Sequence, residues 1–358
     1  MRIFLWSRAA IWALAAAAVL LFEDRLNPER GRWDAARLHD VGALVDVLAR
    51  WDSNWFLQIA REGYAWPSAS PAFFPLYPLL TGGVGRVLAG HFVVAGVVVS
   101  LAAGAVAFVL LHRLALARLG EAGAYRTVLF LAVAPMSLFL GVVYSESLFL
   151  ALAVGCFLAA ERGSLGWAAS LAGLALLTRP QGLALLPALA VFAWQRHEGR
   201  ARASGLLAVP AAFFLAYPLA LWLWVGRPLA FLEAEDQWER HLSPLGPLGG
   251  PIRAAGDGDV TELAFAVAMT ALAVLAWRRL GPAYGLYSLG VLALAMAAPS
   301  DRLGGLYSFP RLSLVAFPCF MALATVVRDR RRTIALATAS AALLGVYVLR
   351  WALWYWVS

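Results

Sequence analysis

The sequence contains no lysine; all 29 basic residues are arginine. That absence excludes Schiff-base chemistry and a lysine clamp on phosphate. Cysteine is nearly missing: Cys156 and Cys319 both sit inside apolar runs, so there is neither a disulfide framework nor a cysteine metal site. Charge is scarce, at 14% of 358 residues, where an ordinary globular domain carries about 25%. The arginines are dispersed, without the basic arm or stripe of a nucleic-acid binder. No Walker motif and no GxGxxG following a strand is present, which removes direct use of a bound nucleotide.

Apolar residues supply what is abundant, 62% of the chain. This composition calls for an all-α, polytopic membrane protein forming a single integral domain over 1–358. Arg2 and Arg8 precede an apolar run to Phe22 that lacks a small-x-small cleavage site, so it reads as an uncleaved first span. Further apolar segments lie near 92–111, 127–143, 145–160, 165–178, 182–194, 204–225, 260–277, 283–298, 312–327 and 333–351, which predicts eleven membrane helices.

Arginine distribution sets the orientation. With the N-terminus cytoplasmic, the inside segments hold 15 arginines against four acids, and the remainder holds 14 against 17. The clusters at 196–202 and 328–332 weigh most. The outer face then receives a long first loop, 23–90, a second large loop, 226–259, and short turns near 144–147, 178–182 and 299–311. Leu38, Val41, Leu44, Val45 and Leu48 recur at helical spacing and predict an interfacial helix. Another helix is expected to begin after Asp52 and to end near Gly63. The stretch 71–90, broken by Pro75, Pro78 and several glycines, reads as interfacial or re-entrant.

The densest chemical signal is Arg50-Trp51-Asp52-Ser53-Asn54-Trp55. Asp52 stands at a helix start between two tryptophans. Asp is a favoured helix cap; a carboxylate against an aromatic wall also suits a general base. Both readings stand at this point.

The motif Trp51-Asp52-Ser53-x-Trp55, continuing to Gly63-Tyr64, is followed by Phe73-Phe74-Pro75-Leu76-Tyr77-Pro78 and Ser145-Glu146-Ser147-Leu148-Phe149. Thr178-Arg179-Pro180-x-Gly182, Gln237-Trp238 and Ser308-x-Pro310-Arg311 come next. In this order the pieces resemble the PIG-V family of mannosyltransferases, within the GT-C class of polytopic glycosyltransferases. The resemblance covers about 50 to 311; no recognisable motif lies past 330. It implies transfer of mannose from a polyprenyl-phosphate donor to an extracytoplasmic acceptor, lipid-linked or polysaccharide. It also implies an acidic residue of the first outer loop as catalytic base, by position Asp52.

The residues suit that chemistry. A sugar on lipid phosphate already has a good leaving group, so an inverting displacement needs one carboxylate to take the acceptor proton. It also needs cations for the departing phosphate, and arginine's planar fork fits phosphate oxygens. Arg179, Arg311 and Arg240 are the candidates; snorkelling at the interface or a solvated charge run is the plainer reading of each. Glu146, flanked by serines at a helix start, suits a sugar or acceptor hydroxyl, an arginine partner or a cap. Gln237 and Trp238, with Trp51 and Trp55, suit sugar contact by amide bonds and stacking, and Trp equally populates interface belts. Asp257-Gly258-Asp259 spells a DxD but sits at a membrane-helix start, where it reads as a cap. No metal and no cofactor are expected. A transporter or flippase is the alternative. It calls for charges or broken helices at mid-membrane in both halves, whereas here charges gather at outer helix ends.

Overall fold

In lipid the backbone must satisfy its own polar groups, so long apolar runs fold as helices. The computed structural model describes residues 1–197 and 199–357, with only the backbone of Arg200, Ala201 and Arg202; part of the basic 196–202 cluster therefore lies outside the described residues. Among the described residues no strand occurs, only isolated bridges. The main helices are α1 (Arg2–Leu21), α2 (Ser53–Glu62), α3 (Leu76–Val87), α4 (Phe92–Ala132), α5 (Glu146–Glu161) and α6 (Leu165–Leu176). They continue as α7 (Leu185–Gln195), α8 (Arg200–Val225), α9 (Val260–Leu280), α10 (Pro282–Met296), α11 (Phe317–Val326) and α12 (Arg330–Ala352).

Five of these are long and apolar enough to cross a membrane: α1, α4, α8 (from Ala203), α9 and α12. A pair of helices, Phe309–Val315 and Phe317–Val326, meets the same length and composition requirement only when taken together, and is bent by 81°. The expected eleven full spans are not all realised as such. Helices α5, α6, α7 and α10 hold 16, 12, 11 and 15 residues. At 1.5 Å per residue they fall short of about 30 Å of hydrocarbon. Buried irregular backbone precedes α5 at 133–145 and α7 at Pro180–Ala184, which is tolerated at membrane depth only inside protein.

Helix α4 illustrates this. Its 41 residues break at Gly120, whose φ of 69° favours glycine. The chain then runs back beside its own first half: Ser100 Oγ donates to the Tyr144 carbonyl at 3.1 Å. The expected span 127–143 is helical only to Ala132; residues 133–145 form a buried irregular segment containing a 3₁₀ turn at Ser137–Leu140. Arg8 of α1 holds that segment from below. Its guanidinium donates to the carbonyls of Ser137 and Ala132 and to Ser137 Oγ, satisfying the open C-terminal end of α4.

In the first outer loop the predicted interfacial helix over Leu38–Leu48 shrinks to a 3₁₀ turn, Ala36–Leu38, and one α turn, Ala43–Asp46. The Asp46 carboxylate accepts from the amides of Asp40, Val41 and Gly42, and such local bonds compete with a helix. Helix α2 runs to Glu62 and stops at Gly63 (φ 86°), as its spacing predicts. Helix α3, with 12 residues, is about 18 Å long and too short to span. The second large loop is tied to the 299–308 turn: Arg253 pairs with Asp301 at 2.5 Å, and Ser300 Oγ donates to the Trp238 carbonyl at 2.6 Å.

Candidate active site

Four of the charged residues singled out in the sequence meet at one place. Asp52 Oδ2 lies 2.6 Å from Arg311 Nη1, and Glu146 Oε1 lies 2.5 Å from Arg179 Nη1. Arg311 Nε stands 3.8 Å from the same Glu146 oxygen, which joins the two pairs into one chain, Asp52–Arg311–Glu146–Arg179. Two carboxylates and two guanidiniums balance, as charges taken out of water must.

Local folding explains each position. Trp51 adopts the left-handed region (φ 53°) and turns the chain sharply into α2. Asp52 follows at the cap position with helical φ/ψ (−60°, −17°), not the extended geometry of a capping residue, and its carboxylate accepts no amide of the first turn. Capping, the plainer reading of this residue, is therefore not its role in this structure; its side chain is turned to Arg311. Ser53 does the anchoring. Its Oγ accepts from the Arg50 amide and donates to the Val143 carbonyl, both at 3.1 Å. Val143 in turn donates its amide to the Leu48 carbonyl at 3.0 Å. The first outer loop is thus stitched to the buried 133–145 segment.

Tyr144, at the end of that segment, is the residue sequence reasoning passed over. Its hydroxyl accepts the Asp52 amide at 3.1 Å, and its ring lies under the Arg311 guanidinium at 5.3 Å. Phe139 offers Arg311 a second ring at 5.5 Å. Tyr144 touches both members of the central pair. It stood in the quoted turn beside Glu146, but aromatic residues are too common in this chain for that to count as a signal.

Glu146 opens α5, where a helix N-terminus favours a carboxylate, and its side chain is 1% exposed. Of its possible roles, the geometry realises the arginine partner. Arg179 leaves α6 in extended backbone, and its side chain is 10% exposed. Arg311 sits in the short helix Phe309–Leu312, entered through Ser308 at φ 60°. Asp52 and Arg311 keep 16% and 12% of their side chains exposed, so this end of the chain of charges is the reachable one.

The remaining candidates are placed apart from the four. Arg240 donates to the Ala298 carbonyl at 3.2 Å and pairs with Glu235 at 3.4 Å. Burial pushes the Glu235 carboxyl above the ordinary carboxylate range; Arg240 and Arg311 oppose that shift and Asp52 adds to it. This pair therefore lies within electrostatic reach of the central one. Gln237 is exposed, and its carbonyl accepts from Arg302. Trp238 meets Phe73 edge-on at 5.9 Å, and Trp55 stacks on the same ring at 6.2 Å. Phe73 thereby joins two candidates far apart in sequence. Trp51 faces away from them, packed among Trp33, Trp354 and Trp356. Asp259 caps α9 by accepting the Glu262 amide at 3.1 Å, so the DxD is a cap. Among the described residues no group of three His, Cys, Asp or Glu side chains has metal-holding geometry.

Residues 26–197 match the sequence model of the mannosyltransferase (PIG-V) family. No curated protein sequence matches the chain. Among solved structures, it is similar to the crystal structure of ArnT from Cupriavidus metallidurans bound to undecaprenyl phosphate, with a TM-score of 0.57 at 14% identity. That likeness covers 95% of this chain but 62% of ArnT, and at such identity it concerns the fold. The architecture is polytopic and helical, with a fold similar to that of ArnT.

Proposed function

From the PIG-V family resemblance over residues 26–197, we propose that the chain is a lipid-phosphate-dependent mannosyltransferase acting on the extracytoplasmic side of the membrane. Undecaprenyl phosphate bound to ArnT, a protein of similar fold, supports a polyprenyl-phosphate donor. The observation that carries the mechanism is the Asp52 carboxylate, free of capping duty and paired to Arg311.

Asp52 takes the proton from the acceptor hydroxyl as its oxygen attacks the anomeric carbon of mannose. The bond from that carbon to the phosphate oxygen breaks, its electron pair leaves with the polyprenyl phosphate, and the configuration inverts. The phosphate gains charge as it departs, and a guanidinium fork suits it. Arg311 then serves twice. While it pairs with Asp52 it holds the carboxylate in place. Donor phosphate competes for the same nitrogens, and drawing Arg311 toward phosphate frees the Asp52 carboxylate to meet the acceptor hydroxyl. Arg179 stays with Glu146, which positions both arginines and needs no substrate contact of its own. Trp55, Phe73 and Trp238 supply an aromatic wall for the sugar, with Gln237 at its exposed edge.

The test is incubation of purified protein with radiolabelled polyprenyl-phosphate mannose and a lipid extract of the source cell. The expected result is label in a new product that depends on intact Asp52; label remaining wholly on the donor contradicts the proposal.

A further inference from the structure

An apolar slot lies away from the charged chain, between α9, α11 and α12. Its volume is about 170 Å³, close to the roughly 150 Å³ of apolar cavities that stay dry and take up a benzene ring. Phe265 and Leu272 of α9, Leu323 of α11, and Leu336 and Ser340 of α12 are among its lining residues. We propose that the slot holds part of an acyl chain of one anionic phospholipid, whose phosphate rests on arginines at the ends of the same three helices. The proposal is independent of the transferase reading above.

No charged side chain lines the slot, and its few polar side chains are already engaged. Ser340 Oγ donates to the Val133 carbonyl at 2.8 Å, and Ser313 Oγ to the Pro310 carbonyl at 3.0 Å. Cys319 Sγ faces the Met269 carbonyl at 3.8 Å. These side chains offer a polar ligand nothing. The floor is buried at Met136 and Cys319, whereas Ala268 of α9 and Leu336 of α12 are exposed on the rim. The opening therefore lies between α9 and α12. Both helices are long and apolar enough to cross a membrane, so the slot faces hydrocarbon.

What stands at one end of the slot names the headgroup. On α12, Ser340, Leu336 and Arg332 recur at four-residue spacing, which puts them on one face. On α9, Leu272 and Arg279 are seven positions apart and again share a face. Both lining stripes run into an arginine, about 6 Å past Leu336 and about 10 Å past Leu272 at 1.5 Å per residue. Arg328 lies in the short link from Val326 of α11 to Arg330 of α12. All three arginines are exposed, and among the described residues the arginine ion pairs involve other side chains. Arg328 Nε donates to the Thr325 carbonyl at 2.7 Å. The carboxylate of the link, Asp329, caps α12 by accepting the Arg332 amide at 2.9 Å. Arg278, Arg330 and Arg331 add three further cations. Like charges so crowded repel until an anion is placed among them.

Membrane orientation by itself accounts for arginine at these helix ends. It does not account for two of them continuing the walls of an apolar slot. An amphiphile with one negative headgroup and a hydrocarbon chain satisfies both features at once, and a basic pocket between membrane helices is where acidic lipid headgroups bind. The other end of the slot does not supply that anion site. Pro310 reaches the wall but Arg311 does not, and the Arg311 guanidinium is turned to Asp52 and Glu146. A phosphate held by Arg311 is therefore outside the slot.

The test uses full-length protein in detergent, stripped of lipid and titrated while native mass spectrometry counts bound lipid. The probes are dipalmitoyl phosphatidylglycerol, dipalmitoyl phosphatidylcholine and dihexanoyl phosphatidylglycerol. The expected result is one dipalmitoyl phosphatidylglycerol per chain, bound about tenfold more tightly than either of the other two. Arg279→Gln combined with Arg332→Gln, both at exposed positions, is expected to weaken it about tenfold. Ala268→Phe, on the rim, is expected to weaken the dipalmitoyl lipid and leave the dihexanoyl one as it was. Equal affinity for both headgroups makes the slot a place for any lipid and overturns the proposal. Equal affinity for both chain lengths, or displacement by inorganic phosphate, reduces it to an anion site and overturns it too. Displacement by a polyprenyl phosphate gives the slot to the donor chain, and unchanged phosphatidylglycerol affinity in both variants removes the assigned residues; either result contradicts the proposal and leaves the transferase reading untouched.

Discussion

Arg311 and Asp52, 259 positions apart in sequence, meet at 2.6 Å, and the ring of Tyr144 lies against the same guanidinium. A carboxylate paired this way is available as a base only when its partner is drawn elsewhere. On the function proposed above, donor phosphate is the group that draws it, which would couple substrate binding to base activation through one side chain.

The coupling depends on the shape of the guanidinium. Arg311→Lys replaces a planar fork by a point charge that cannot hold Asp52 or phosphate in two-point fashion. A charged hydrogen bond is worth about 1.5–3 kcal/mol, so the donor KM is expected to rise roughly tenfold to a hundredfold. Arg179→Lys is expected to act in the same direction and more weakly, because Arg179 sits further along the chain of charges. Steady-state kinetics against donor concentration checks both; parent-like KM in both variants removes the arginines from donor binding.

Glu146 and Arg179 form the buried end of the network. Removing one member of a buried pair leaves the other charge uncompensated, at a cost of about 3–5 kcal/mol. Glu146→Gln is therefore expected to lower the thermal midpoint markedly, and Glu146→Gln combined with Arg179→Gln to recover part of the loss. The double-mutant cycle measures that coupling. Strict additivity of the two substitutions contradicts the pairing.

Tyr144→Phe keeps the ring beneath Arg311 and deletes the oxygen that accepts the Asp52 amide. A buried amide left unpaired costs about 1–3 kcal/mol. A loss of stability near the lower end is expected, with a fall in kcat at nearly constant donor KM, because the backbone at Asp52 is loosened while the phosphate ligands stay. Unchanged kcat removes Tyr144 from the site.

Much of this site was legible in the sequence, and the reasons differ by residue. Asp52 stands out through the Trp51-Asp52-Ser53-x-Trp55 motif, Glu146 because a carboxylate at that depth is costly, and Arg179 and Arg311 because a guanidinium fork at an outer helix end suits phosphate. Their meeting could not be read, since it depends on the return of the chain at Gly120 and on the irregular 133–145 segment. Periodicity sees that segment as one more apolar span. Trp51 and Trp55 looked equivalent, four positions apart around Asp52. The left-handed backbone at Trp51 sends that ring instead toward Trp354 and Trp356, at the end of a chain region without any recognised motif. The predicted interfacial helix at Leu38–Leu48 failed for another reason: two aspartates turned their carboxylates onto nearby amides, which hydrophobic spacing alone does not register.

Orientation in the membrane rests on arginine distribution and is open to direct test. Leu242, 78% exposed in the second large loop, is expected on the outer side, and Ala122, exposed just after the Gly120 break, on the cytoplasmic side. A membrane-impermeant thiol reagent applied to intact cells is expected to label Leu242→Cys and spare Ala122→Cys. The reverse pattern places the charged chain on the cytoplasmic face.

The most direct measurement is the turnover of Asp52→Asn. Asparagine keeps the size and shape of the side chain, and Glu146, 3.8 Å from Arg311, still faces the guanidinium. What is lost is the proton acceptor. General-base assistance is worth roughly 10²–10⁴ in rate, so mannosyl transfer is expected to fall by about that factor while donor binding and folding change little. Near-parental turnover in Asp52→Asn contradicts the account at its centre and removes Asp52 as the base.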